Sequence, residues 1–307
     1  MTTQDKRADQ AADHRRQVRD FLTSRRERIT PDQAGLPAYG GDNRRVKGLR
    51  REEVALLAGV SIDYYVRMER GNLAGASDAV LDGVSGALHL DEAEREHLYA
   101  LARAAGPARR RPKPAATTIR PVMQQILDAI TEAPAWIRNA RHDILAMNPL
   151  ARALYSPVLH SAIAGPADRR PANTTRFVYL DPAARDFFVD YDRIAQDAAA
   201  MLRLEAGRHP YDTQLQALVG ELSTHSELFR RHWASNNVTF HRSGRKRLRH
   251  PAVGELDLNF EGMELPSDTD LSLNIYTADP DTPTADGLTL LASWAASQKA
   301  EATQQAL

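Results

Sequence analysis

The spacing of apolar residues changes along this chain, and the change predicts two domains. In residues 1–105 apolar positions recur every three or four residues, which is the period of an amphipathic helix. Helices are predicted to begin near His14, Arg51, Ser61, Ser77 and Asp91. Five short helices can bury their apolar faces only against one another, so this part is predicted to be an all-α domain.

From residue 119 onward helical and alternating patterns are mixed. Residues 133–147 hold two short apolar segments around a polar turn, which predicts a hairpin. Residues 181–233 have a helical pattern. Three strand-like segments follow at Val238–His241, Gly254–Phe260 and Leu271–Tyr276. Two strands, a helical middle and three strands predict an α+β, PAS-like domain, an antiparallel sheet with helices on one face.

A segment without periodicity separates the two patterns. GPARRRPKPAATT, residues 106–118, carries four basic residues and three prolines, which is the composition of a semi-rigid linker. The predicted organisation is therefore an all-α domain in residues 1–105, a linker in 106–118 and an α+β domain in 119–307.

The stretch REEVALLAGVSIDYYVRMERG, residues 51–71, predicts two short helices around a tight turn. Gly59 can end the first helix because glycine adopts positive φ without steric penalty, and Ser61 can cap the second. Tyr65 and Met68 are predicted to face the core. The exposed face of the second helix then holds Ile62, Asp63, Val66 and Arg67. This arrangement is typical of a helix-turn-helix, although such a pair also occurs in all-α proteins that bind no DNA.

Longer phrases carry a resemblance to a known family. VKGLRREEVALLAGVSIDYYVRMERG, residues 46–71, resembles the helix-turn-helix of the Xre/Cro/repressor regulators, in particular the MmyB-like branch. The order LDPAARDFF…LVGELS…SELFRRHW…KRLRHPAVGELDL…YTADP is similar to the C-terminal ligand-binding domain of the same regulators. Where that family often has an aromatic pair in the first hairpin, this chain has only Trp136.

The resemblance implies which side chains meet DNA. Side chains near the start of the second helix reach base edges in the major groove, which places Ile62, Asp63 and Arg67 there and Tyr64 and Arg51 near the backbone. Arg67 can pair with guanine and Ile62 can touch a thymine methyl. Asp63 either accepts a hydrogen bond from cytosine or orders Arg67 by an i, i+4 pair. The predicted DNA contacts are Arg44, Arg45, Lys47, Arg50, Arg51, Ser61, Ile62, Asp63, Tyr64, Arg67 and Arg70.

Several basic or acidic residues around the two helices have more than one interpretation. The arm that contains Arg44, Arg45 and Lys47 either lies along phosphates or in a minor groove, or is a solvated loop. Arg70 is either a phosphate contact or solvated. Glu69 is predicted to hold the domain together near Arg51 or Arg50 rather than to meet DNA.

The predicted sheet and helices can leave an apolar pocket between them. The candidate lining residues are Trp136, Ile144, Phe187, Phe188, Tyr191, Met201, Trp233, Phe260, Leu273 and Ile275. Each of these is also explained as an ordinary core residue. The resemblance implies a small-molecule sensor that accepts a fatty-acid-like or other apolar effector, with no further cofactor.

Composition narrows the remaining options. The chain has 307 residues, no cysteine and a formal net charge of zero, but Lys and Arg exceed Asp and Glu by four in residues 1–114. A basic N-terminal part suggests that one end meets a polyanion. With no apolar run of 18 residues and no secretory signal, a cytoplasmic protein without membrane contact is expected. No metal site is expected, because the spacing of the histidines matches no ligand motif and thiolates are absent.

The sequence therefore predicts a bacterial, DNA-binding transcription regulator that is not an enzyme. A single small domain offers too little interface for tight specific binding, so a homodimer on a double-stranded operator with two half-sites is expected. In this interpretation the C-terminal domain dimerises and senses a small molecule. The alternative is a DNA-binding protein whose C-terminal domain only oligomerises or binds a protein partner, and an enzyme with a DNA-binding domain is a third option.

Overall fold

Contacts divide the chain into two compact units. The computed structural model describes residues 3–36, 46, 48–106, 118–166, 170–268 and 270–305. The first unit comprises Met1–Pro112, Arg203–Tyr211 and Ala234–Thr239, and the second comprises Lys113–Leu202, Asp212–Trp233 and Phe240–Leu307. The predicted domains were continuous stretches of sequence, whereas the first unit takes in two later segments, because packing rather than chain order decides which unit a segment joins.

The first unit contains the five predicted helices. They are α1 (Thr3–Arg28), α2 (Arg51–Ala58), α3 (Ile62–Glu69), α4 (Asp78–Ala87) and α5 (Glu92–Ala105). The first begins well before the predicted start at His14. The predicted caps of later helices are present, since the Ser61 hydroxyl accepts a hydrogen bond from the Tyr64 N–H and the Asp91 carboxylate accepts one from the Glu94 N–H. These helix starts are therefore encoded locally.

A single apolar core joins these helices. Its fully buried members on α1 are Val18, Phe21 and Leu22. The other helices add Val54, Ala55, Tyr65, Met68, Leu81, Val84, Leu98 and Leu101. At the end of α3 the backbone of Gly71 lies so close to α1 that an added Cβ would stand 2.4 Å from the Arg15 carbonyl oxygen. The position therefore requires glycine both for its φ of 99° and for space.

The second unit is built on a five-stranded antiparallel sheet. Its strands are β1 (Ala135–Asn139), β2 (Ile144–Met147), β3 (Ser243–His250), β4 (Gly254–Glu264) and β5 (Leu271–Thr277), in the spatial order β2-β1-β5-β4-β3. The strand predicted at Val238–His241 is wrong, because the strand begins at Ser243, five residues after the predicted start. There the basic residues alternate with inward-facing ones, as a strand with one solvated face requires.

Nine helices of the described residues begin after the first unit's α5. They are α6 (Pro121–Ala129), α7 (Pro149–Leu154), α8 (Ser156–Leu159), α9 (Thr174–Leu180), α10 (Ala183–Phe187), α11 (Tyr191–Arg208), α12 (Thr213–His225), α13 (Glu227–Ala234) and α14 (Pro283–Gln305). The fold class predicted from the sequence, a helical region followed by an antiparallel sheet with helices, is confirmed. None of the described helices is both long and apolar enough to span a membrane.

The two faces of the sheet carry different residues. On β1, Ala135 and Ile137 point to one side and pack with Met123 and Leu127 of α6. We call this the outer face, and α6 packs against it. Residues of α9 and α11 lie against the opposite face. The opposite, inner face carries Trp136, Arg138, Lys246, Phe260, Asn274 and Tyr276. Neighbouring strands are in register there, since Trp136 is paired with Asn274, so the inner face presents one continuous surface.

Candidate functional site

Three side chains predicted to meet base edges lie on one exposed face of α3. Ile62 is 52% exposed, and Asp63 and Arg67 are exposed as well. The guanidinium of Arg67 lies over the ring of Tyr64, 4.6 Å from the ring centroid. Among the described residues the Arg67 guanidinium thus packs on Tyr64, and the i, i+4 ion pair with Asp63 that the sequence offered is not formed.

Glu69 holds this helix to its neighbours, as predicted. Its carboxylate is only 2% exposed and accepts a hydrogen bond from Arg26 Nε of α1 at 2.6 Å and a second from Arg51 Nε of α2. Arg26 also donates to the carbonyl oxygen of Leu49 at 2.8 Å. The bond to Glu69 raises the pKa of Arg51, whose side chain is nevertheless 55% exposed. A buried carboxylate shared by two guanidiniums thus sets the position of α3.

The remaining residues predicted to contact DNA lie at several different places in the chain. Three of them fall outside the described residues, namely Arg44, Arg45 and Lys47. Arg50 lies next to the start of α2, with Nη1 3.4 Å from the Glu52 carboxylate. Ser61 caps α3, and Arg70 is exposed at the end of that helix. Ser61 and Arg70 therefore border α3 in sequence, whereas Arg50 borders α2.

A cavity in the second unit lies against the inner face of the sheet. It is lined by Trp136, Arg138, His142, Tyr155, Thr174, Val178, Phe188, Ile194, Asp197, Ala198, Met201, His241, Lys246, Phe260, Asn274 and Tyr276. The centre of a water-sized sphere can move through about 50 Å³ of it. One buried water needs about 10–15 Å³ on this measure, so the cavity has room for several waters or a molecule of similar size.

Of the predicted ligand contacts, some line this cavity and some do not. Those that line it are Trp136, Phe188, Met201 and Phe260. Those that the structure places elsewhere are Ile144, Phe187, Tyr191, Trp233, Leu273 and Ile275. Leu273 and Ile275 pack against the core beneath α6, because alternate residues of β5 point to opposite faces and Asn274 takes the inner one.

The other displaced residues have partners of their own. Phe187 packs edge-on against Tyr155, with ring centroids 5.9 Å apart. Trp233 stacks on Phe229 at 5.4 Å, and the hydroxyl of Tyr191 donates to the Val178 carbonyl oxygen at 3.0 Å. Ile144 lies in β2, where its N–H donates to the Ala172 carbonyl oxygen at 2.8 Å. Ile144 and Phe187 are buried, Tyr191 and Trp233 are half-buried, and none of the four lines the cavity.

Sequence reasoning missed the polar side of the cavity. Its polar wall contains Arg138, His142, Thr174, Asp197, His241, Lys246 and Asn274. A search for aromatic and apolar residues passes over these positions. A signal was present, because Arg138 follows Trp136 by two residues and Lys246 precedes Leu248 by two, so each shares a strand face with an apolar residue.

The charges around the cavity have a positive balance. Lys246 Nζ lies 3.4 Å from the Tyr276 hydroxyl and 5.2 Å from the centroid of the Phe260 ring. Burial, together with the charges of Lys246 and Arg138, lowers the pKa of His241 to about 2, so this imidazole is neutral. The pKa of His142 is lowered mainly by burial and further by Arg138. After burial, the positive charges of Lys246 and Arg138 therefore lower the pKa of both histidines further.

Aromatic contacts and one carboxylate complete the wall. The His241 ring stacks on Phe260 at a centroid distance of 4.2 Å, and its Nδ1 lies 3.8 Å from Asp197 Oδ2. Burial raises the pKa of Asp197. The hydroxyls of Tyr155 and Tyr276 are 2.6 Å apart and hydrogen-bonded to each other. The cavity thus combines flat apolar surfaces with several polar groups, as ligand sites do.

Two ring nitrogens of the wall lack a hydrogen-bond partner among the described residues. Trp136 is only 4% exposed, and its Nε1 has no hydrogen-bond partner among the described residues. Within the same described part of the chain, His241 Nε2 has none either. A buried donor without a partner costs free energy, about 1–3 kcal/mol, unless something else occupies the space in front of it. Trp136 Nε1 can only donate and so favours an acceptor in the cavity, whereas His241 Nε2 donates in only one of the two neutral tautomers of its ring.

The second unit is therefore an α+β domain that encloses a cavity with both apolar and polar lining residues. Residues 119–291 match the family described as MmyB-like transcription regulator ligand binding domain. Since this match covers more than half of the chain, the chain belongs to that family, which is one of transcription regulators and not of enzymes. No curated protein matches the chain. The resemblance predicted for the C-terminal phrases is confirmed, while the match does not extend to α1–α5.

Proposed function

We propose that this protein is a dimeric transcription regulator that binds an operator through α3, as an Xre-type helix-turn-helix does. One observation carries the proposal: Ile62, Asp63 and Arg67 form an exposed face on a helix whose other side is buried. A helix held this way can enter a major groove, and its first residues reach base edges. In this proposal, a small molecule in the cavity of the second unit modulates the binding of the protein to DNA.

The division between positioning and base contact follows from charge and exposure. Arg51 and Arg70 are exposed cations at the two ends of the α2–α3 pair, where phosphates flank a groove. Arg67 lies on the exposed face itself and presents a planar fork that fits the O6 and N7 atoms of guanine. Glu69 is buried between two arginines and orients the helix without meeting DNA.

The first test selects bound sequences from random DNA with the full chain and then measures the affinities of variants. Arg67→Ala is expected to relax preference at one base position, by roughly 5- to 150-fold, because a bidentate arginine–guanine pair is lost. Arg51→Ala and Arg70→Ala are expected to weaken binding to all sequences and to lower the salt slope by about 1 each.

A matched control removes the same charge from another helix of the first unit. Arg103 is exposed near the end of α5, and Arg103→Ala should leave sequence preference unchanged. Arg51→Ala also removes one partner of Glu69, so its unfolding is measured beside its affinity. If Arg67→Ala selects the same sequences with the same affinity as the parent, α3 is not the element that contacts the bases.

A further inference from the structure

The cavity holds more cationic and donor groups than an apolar ligand requires. Lys246 is half-buried and forms no ion pair with a carboxylate within the described part of the chain. In the same part of the chain, Trp136 Nε1 and His241 Nε2 have no hydrogen-bond partner. An ammonium group and an indole N–H can only donate hydrogen bonds. A ligand group that binds Lys246 and Trp136 Nε1 must therefore be a hydrogen-bond acceptor. Next to Lys246, a negatively charged acceptor is bound most strongly.

The depressed histidine pKa values point the same way. The pKa of His241 is about 2, first because of burial and then because Lys246 and Arg138 repel an added proton. Asp197 is the one carboxylate among the described lining residues, and burial raises its pKa. A ligand anion placed between Lys246 and His241 would compensate the positive field that these shifts report.

The shape of the cavity limits the body of such an anion. The free space of about 50 Å³ corresponds to roughly three to five waters, which suits one ring better than a long acyl chain. Flat side chains form much of the wall, namely Trp136, Tyr155, Phe188, Phe260 and Tyr276. Aromatic surfaces pack best against another ring in offset or edge-on contact.

We propose that the ligand of this cavity is a compact aromatic carboxylate. Its carboxylate lies between Lys246, Trp136 Nε1 and His241 in the tautomer with its proton on Nε2, and its ring lies against Phe188 and Phe260. This inference rests on the proposed function in that it identifies the chemical class of the effector. It replaces the fatty-acid-like molecule expected from the sequence, because the carboxylate of a fatty acid could pair with the same donors but its acyl chain would exceed the free space of about 50 Å³.

The test is calorimetric titration of the full chain with benzoate, 4-hydroxybenzoate and phenylacetate. Benzamide serves as the neutral isostere and decanoate as the acyl competitor. At least one ring carboxylate is expected to bind with one molecule per chain, and benzamide to bind at least tenfold more weakly, because a hydrogen bond to a charged group is stronger than one to a neutral group.

Two variants separate charge from packing. Lys246→Met keeps the length of the side chain and is expected to weaken binding of the ring carboxylate by roughly 10- to 100-fold. Arg249→Met removes a cation from the same strand but from its solvated face, and should bind like the parent. Trp136→Phe keeps an aromatic ring without the N–H, assigns the Trp136 indole signal in nitrogen-edited NMR spectra and should weaken binding severalfold.

The expected spectral result is a shift of the Trp136 indole N–H signal with the carboxylate and none with benzamide. The proposal is overturned if benzamide binds as well as the acids, if decanoate binds more tightly than all of them, or if none of the three acids binds. DNA affinity is measured on the same samples. If the chain binds its operator but none of the acids, this inference alone is overturned. If an acid binds but Arg67→Ala leaves DNA selection and affinity unchanged, the proposed function alone is overturned.

Discussion

Charged residues of the first unit have roles that depend on burial rather than on residue type. Arg67 and Glu69 are two positions apart on α3, yet one is exposed and the other is buried between Arg26 and Arg51. The sequence predicted that Glu69 lies near Arg51 or Arg50, and the structure shows the hydrogen bond from Arg51. The contact with Arg26, 43 residues away, could not be predicted from local pattern, since it depends on how α1 packs.

His97 on α5 is a buried, neutral histidine. It is 2% exposed and packs edge-on against Phe21 at 4.9 Å. Burial, with the nearby charge of Arg203, lowers its pKa to about 3 from the value of 6.5 that applies when the chain is unfolded. Because the folded pKa is the lower one, the unfolded state binds the proton first. The contribution of neutral His97 to the free energy of unfolding is therefore fully present above pH 6.5 and is lost as the pH falls from 6.5 toward 3.

We expect His97→Phe to reduce the pH dependence of folding. Between pH 7 and pH 5 the parent should lose up to about 2 kcal/mol of unfolding free energy through this residue, at about 1.4 kcal/mol per pH unit below 6.5. The measurement is urea unfolding at both pH values. The variant should lose less over the same range, even if the larger ring lowers its stability at pH 7. An unchanged difference between the two pH values would show that His97 does not carry this linkage.

At the scale of elements, the turn between α2 and α3 depends on one backbone conformation. Gly59 ends α2 with φ 68° and ψ 30°, and the N–H of Val60 donates to the carbonyl oxygen of Ala55 at 3.0 Å. An added Cβ on Gly59 would meet no atom within 4 Å. Any cost of a side chain there therefore comes from the left-handed conformation and not from a clash.

We expect Gly59→Ala to lower the unfolding free energy by about 1 kcal/mol. Gly86 is the matched control, because it also has open space around an added Cβ but lies inside α4 with helical geometry. Gly86→Ala should be neutral or stabilising by up to about 1 kcal/mol, because alanine loses less conformational freedom on folding than glycine. Denaturant unfolding of both variants measures the difference; equal effects would mean that the turn imposes no conformational requirement.

Strand β3 shows how register assigns chemistry. Arg245, Arg247 and Arg249 are exposed, whereas Lys246 and Leu248 face inward. The alternation of charged residues with Leu248 is the sequence pattern of a strand with one solvated face. It could not predict that the inward lysine would stand beside Tyr276, since that neighbour is set by the pairing of β3 with β4 and of β4 with β5.

At the scale of the whole molecule, the proposed dimer makes a prediction about DNA geometry. A symmetric pair of α3 helices should bind two half-sites about 10–10.5 base pairs apart, centre to centre, or multiples of that spacing. The full chain should therefore bind such a DNA far more tightly than a single half-site of equal length. Mobility shifts measure the affinities and sedimentation gives the number of chains per DNA. Equal affinity with one chain bound would contradict the dimer.

The sequence by itself determined what depends on neighbouring residues. Helical and alternating periods, the caps at Ser61 and Asp91 and the glycine turn at Gly59 all act within a few residues, so the helices, most strands and the fold class could be predicted. The phrases of the C-terminal half identified the family that the match to residues 119–291 shows.

The tertiary structure alone decided which side chains share a site. The cavity wall combines β1, β3, β4 and β5 with α9 and α11, and strand register sends Asn274 inward while Leu273 and Ile275 pack beneath α6. Apolar character along the chain could not distinguish these positions, because both sheet faces are covered. The cationic wall at Lys246 and Arg138 arose in the same way: residues distant in sequence converge only when strands pair.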